Sequence, residues 1–155
     1  MQHLQFNRSK GRGFKRRGMA TVEFALVVPV LLALLMGIIE FGLLVRNNLT
    51  LANAAREGAR SGSLGAKKSQ VETRVTSAAA PLDLTAAKGG SIIIEQSLNN
   101  GTTYTGVAAD LVDANAAPQN ALFRVTAIHR HQALTGFFPF INNRIIRSSA
   151  TFRRE

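Results

Sequence analysis

Phe24 to Ile39 is an unbroken run of 16 apolar residues, bounded by Glu23 and Glu40. Widened to Met19–Val45 it covers 27 residues in which those two glutamates are the only charges. A helix crosses a bilayer with about 20 mainly apolar residues at ~1.5 Å each. The run therefore has the length and character of a transmembrane helix. A charge at the bilayer centre costs ~2.5–3.5 kcal/mol on insertion scales, so both glutamates belong near the interfaces or need neutralising. Glu40 is the harder to place, because Phe41-Gly42-Leu43-Leu44-Val45 continues the apolar run beyond it. Snorkelling, pairing and facing another helix all remain open for it.

Charge sets the direction of crossing. Residues 1–18 carry six Lys/Arg (Arg8, Lys10, Arg12, Lys15, Arg16, Arg17) and no acid, which is +6 of the net +10 of this 155-residue chain. Arg46, Arg56 and Arg60 follow the run, partly offset by Glu57. Basic flanks are retained on the cytoplasmic side, so the N-terminus stays inside and the C-terminal part is exported. A strongly basic chain also suggests a nucleic-acid partner, but here the basicity is mainly topological and no nucleic acid is expected. Cysteine is absent, which excludes disulfides and thiolate chemistry.

Other readings of the N-terminal third are a secretory signal, a twin-arginine signal and an uncleaved anchor. The first has an A-x-A match at Ala52-Asn53-Ala54, but its apolar stretch is longer than the usual 7–15 residues and Arg46 to Leu51 intervenes. The second rests on Arg16-Arg17 alone, a common pair in a basic leader. The third treats Gly18 and Glu23 as coincidental.

Beyond the run, Leu44, Leu51, Ala55 and Ala59 recur at helical spacing. The helix is expected to continue to about Arg60, roughly 60 Å of rod, and to end at Gly58 and the Ser61–Gly65 cluster. Ser69–Ala80 predicts a second helix, with Val71, Val75, Ala78 and Ala79 inward and Pro81 as its stop. Ser91–Gln96 predicts a strand, Asn100-Gly101 a turn and Thr102–Val107 a returning strand. Ala121–His131 sets Phe123, Val125 and Ala127 against Arg124, Thr126 and Ile128; Arg144–Arg153 sets Ile146, Ala150 and Phe152 against Arg147 and Thr151. The fold class is α+β: a long N-terminal apolar helix, then a small head with a short helix and an antiparallel sheet. The expected division is a leader at 1–18, a membrane and extended helix at 19–60, and an exported head at 61–155.

Candidate sites are few. His129 and His131 share a strand face, but no third metal ligand has suitable spacing, so a solvated face is the reading and no metal or cofactor is expected. Gly136-Phe137-Phe138-Pro139-Phe140-Ile141 reads as a loop filling the core, with a docking patch for another subunit or the membrane surface as the alternative. Arg124, Arg130, Arg144, Arg147, Arg153 and Arg154 supply a positive face without the aromatic spacing of a nucleic-acid groove. No nucleophile–base pair or phosphate loop appears, so no enzyme activity is expected. Within the apolar helix, Pro29 gives a kink, and Gly37 and Gly42, with Glu40, are candidate positions for packing against another helix.

The stretches Gly18–Leu32, Gly37-Ile38-Ile39-Glu40-Phe41-Gly42 and Asn53-Ala54-Ala55-Arg56-Glu57-Gly58-Ala59-Arg60 resemble the TadE-like family of the Tad (tight adherence), or Flp, pilus assembly system. The resemblance is specific over residues 18–60 and looser towards Ile145–Glu155. It implies a minor, pseudopilin-like component of the bacterial inner membrane with its head in the periplasm or outside. It also implies a type IV prepilin-like signal cut by a prepilin peptidase. Gly18 would precede the scissile bond, Met19 would become the N-terminus, and Glu23, followed by Phe24, would be the recognised glutamate. The implied partners are the peptidase, the membrane and other pilins. The amine of Met19, in the same or a neighbouring subunit, would then pair with Glu23 one helical turn further in. The alternatives are an uncleaved bitopic protein whose head binds an envelope partner, and a secreted basic domain that binds nucleic acid or an acidic polymer.

Overall fold

A computed structural model describes residues 15–107, 120–136 and 138–154, with Lys15–Arg17 as backbone only. Most of the basic leader and Phe137 thus lie outside the described residues. The chain divides into two compact units, Met1–Ile38 and Ile39–Glu155.

In the first unit, the described residues belong to helix α1, which runs Lys15–Ser63 and contains Pro29. Apolar side chains surround it on every side, and Met19, Phe24, Leu26, Val30 and Leu34 are each more than 60% exposed. An 18-residue window of α1 has a mean hydropathy of 2.6 and none of it is buried. A core helix of a soluble protein would hide such a surface, so its exposure fits a lipid-facing span.

In the second unit, the later turns of α1 are amphipathic. Leu51, Ala54, Ala55 and Ala59 are fully buried, whereas Asn53, Arg56, Glu57 and Arg60 are exposed. Helix α2 (Lys68–Ala79) buries Val71, Val75 and Ala79. Gln70 caps its start by accepting the Lys67 backbone N–H at 3.0 Å.

The sheet contains β1 (Ser91–Ser97), β2 (Thr105–Gly106), β3 (Leu122–His131) and β4 (Arg144–Arg153), in the order β2-β1-β3-β4 with every neighbouring pair antiparallel. The α+β expectation is met. The alternation in β3 puts Phe123, Val125 and Ala127 at 1% exposure or less against the helices. Across the ladder, Val125 faces Ile94 and Ala150, and His129 faces Ile146, which extends one apolar face over three strands.

Three local expectations need correcting. Gly58 does not end α1, which continues to Ser63. Gly58 instead lets α2 approach, because a Cβ there would run into Val75. The strand expected over Thr102–Val107 is only Thr105–Gly106. Side chains take the intervening backbone: Ser97 Oγ accepts from Gly101 N–H and Asn99 Oδ1 from Thr103 N–H, both at 2.9 Å. Asn100 and Gly101 do make the turn, with φ of 57° and 91°. Thirdly, the patch before Asn142 is not simply core. Ile141 is buried, but Phe140 is 72% exposed.

Candidate functional site

The two glutamates of the apolar helix have different surroundings. Glu23 is exposed, and no hydrogen bond or ion pair reaches it among the described residues. Gly18, Met19 and Phe24 are exposed as well, and a Cβ added at Gly18 would meet nothing within 4 Å. Between Gly18 and Ile39, Glu23 is the one ionisable side chain of α1, and it is exposed. Pro29 and Gly37 lie further along the same helix, Gly37 half-buried.

Glu40 belongs to the second unit and is fully buried. Its Oε1 accepts the backbone N–H of Leu134 at 2.7 Å, and its Oε2 accepts the hydroxyl of Thr135 at 3.3 Å. Glu40 is therefore engaged within its own chain, by the loop that follows β3. Gly42, two residues on, is open: a Cβ there would meet nothing within 4 Å. Charge-assisted bonds to a carboxylate are about twice as strong as neutral ones, which makes burial at this position tenable.

His131 closes the same cluster. It is 1% exposed, and its Nδ1 lies 3.0 Å from Nδ2 of Asn47, further along α1. Asn47 can only donate there, so Nδ1 accepts and the neutral ring carries its proton on Nε2. Burial pushes the His131 pKa below the ordinary histidine range, against the opposing pull of nearby Glu40. The expected solvated face thus fails for His131, which is sealed beneath the helix. His129 is partly exposed and its Nδ1 sits 3.1 Å from the carbonyl oxygen of Asp83. The two histidines serve separate contacts, and no group of three metal-ligating side chains exists among the described residues.

Asn47, Leu134 and Thr135 carried no signal in the sequence, because what they contribute is an amide, a main-chain N–H and a hydroxyl set far along the chain. A groove of about 640 Å³ runs along α2 between Ser61 and Ser77, and its charged member, Arg74, is 3.5 Å from Glu57.

Residues 18–60 match the family model described as TadE-like protein. No curated protein and no solved structure matches the chain. The matched stretch includes Gly18, Glu23 and Glu40 and ends just before the last turn of α1.

Proposed function

We propose that this chain, whose residues 18–60 match the TadE-like model, belongs to that family and is a minor pseudopilin-like component of a Tad/Flp pilus machine, without catalytic activity of its own. Membership implies a Tad pilus component, and the uncovered apolar helix fits membrane anchorage and helix-to-helix contact with pilins. The observation that carries the finer reading is the state of Glu23. It is a carboxylate on an apolar helix surface, five residues past Gly18, with no partner among the described residues. Such a group is poorly tolerated in lipid and seeks a cation. Cleavage after Gly18 creates one, the amine of Met19, which sits one helical turn away or is offered by a neighbouring subunit.

In this reading a prepilin peptidase on the cytoplasmic face removes residues 1–18. The anchored protein then stays in the inner membrane with its head outside. N-terminal mass determination on protein from cells with and without the peptidase tests it. A peptidase-dependent start at Met19 is expected; an intact Met1 in both overturns processing.

That second outcome is the uncleaved bitopic reading, in which the head binds an envelope partner. One observation favours it: α1 begins at Lys15 and passes through the Gly18–Met19 bond without a break.

A further inference from the structure

Between β3 and β4 the chain holds apolar side chains outward on a well-built support. Leu134 is 71% and Phe140 72% exposed. Asn142 Oδ1 accepts the N–H of Ala133 at 3.1 Å across the base of this loop, and Ile141 N–H returns to the Phe138 carbonyl at 3.0 Å. Phe138 and Phe140 stack edge to face with centroids 5.7 Å apart. Ile141 fills the core beneath. Gly136, with φ of 64°, makes the reversal.

The position of this loop is fixed by Glu40. The Leu134 N–H is bonded to that carboxylate, and the next residue of α1, Phe41, is 61% exposed. The Leu134–Thr135 end of the loop therefore lies against α1 at Glu40, within one unit. The loop's flank is basic. Arg144 stands exposed at the root of the loop, and no Asp or Glu occurs between Asn120 and Arg154.

We infer that Leu134, Phe138 and Phe140 form a membrane-surface wedge, entering the headgroup–acyl boundary beside α1 with Arg144 at the anionic headgroups. The occupant is lipid because the loop is tied to α1 at Glu40, beside the exposed Phe41, and its flank is basic and free of acids. An apolar element of this kind settles ~5–10 Å into the boundary. Glu40 is the positioning residue that sets its height. The inference rests on the anchor reading and adds a second point of lipid contact to it.

Tryptophan is absent from the chain, so single-tryptophan variants report without background. Full-length F140W, L134W, L31W and L98W are placed in bilayers of phosphatidylethanolamine and phosphatidylglycerol brominated at shallow or deep acyl positions. Leu98, 61% exposed, lies at the end of β1 remote from this loop. The F140W and L134W proteins are expected to lose emission to shallow bromines, L31W to deep ones, and L98W to neither. If L31W is quenched while F140W and L134W are not, the wedge is overturned and the anchor stands. If the emission of F140W shifts to the blue without quenching, a second copy of the chain covers the patch, and lipid is the wrong occupant. If L31W is not quenched either, the anchor reading falls and takes the wedge with it.

Discussion

Leu31 and Leu51 are the same residue in the same helix, yet one is 55% exposed and the other 0%. Around Leu31 every face of α1 is apolar, so no placement against a sheet could hide it all. Around Leu51 the exposed positions are mostly polar (Arg46, Asn48, Asn53, Arg56 and Glu57, with Leu49 an exception), so one side can be buried and the other wetted. The glutamates repeat the contrast. Glu23, on the uniformly apolar stretch, has no partner among the described residues, whereas Glu40, where the head begins, is enclosed by it. On the anchor reading one helix serves two solvents, and the change of solvent is written in its pattern of polar residues.

The sharpest way to break this comparison is to empty the head's core and ask whether the anchor notices. Phe123→Ala removes the largest fully buried side chain and is expected to cost about 3–5 kcal/mol. Denaturant unfolding of the full chain in detergent should show the sheet lost at much lower denaturant while the helical signal of residues 18–38 persists. Loss of both together would mean that the two stretches are not independent.

Gly58→Val comes next. The new side chain collides with Val75, and overpacking of this kind costs about 1–3 kcal/mol. Unchanged thermal stability would show that α2 yields freely. Glu40→Ala leaves the Leu134 N–H without its acceptor, with an expected loss of about 1–3 kcal/mol. Faster hydrogen exchange at the Leu134 amide is its signature, and Glu40→Gln, which keeps a carbonyl oxygen, should recover part of the protection.

Smaller still is the pH effect of His131. Its folded pKa is lowered, so the unfolded chain takes up the proton first. The stability it contributes is full above about pH 6.5 and is lost as pH falls from there through the folded value. Melting temperatures from pH 7.5 to 5.5 should decline in the native chain and decline less in His131→Gln. At the end of the scale, Glu23→Ala should leave head stability within about 0.5 kcal/mol while impairing pilus assembly. A destabilised head would show that Glu23 has an intramolecular role.

Much of this was legible because it depends on local pattern. The apolar run, the alternation of Phe123, Val125 and Ala127, and the Asn100-Gly101 turn each reflect neighbours in sequence. What was not legible depends on partners brought from afar. Gly58 looked like a stop because glycine costs a helix about 1 kcal/mol, a penalty that close packing of α2 offsets. His131 looked solvated because Asn47 lies 84 residues away. Phe140 looked like core by composition, although the core has room for Ile141 and not for it.

Glu40 and the amide that receives it are separated by 94 residues. On the anchored reading, Glu40 reaches the membrane long before Leu134 has been exported to meet it. Throughout that interval the glutamate lacks the backbone donor that later holds it. Closure of Leu134 and Thr135 onto α1 is then also the moment at which Glu40 gains its partners. Defects in loop 132–143 should consequently surface during biogenesis, as chains stalled or degraded at the membrane, before any fault appears in the finished machine.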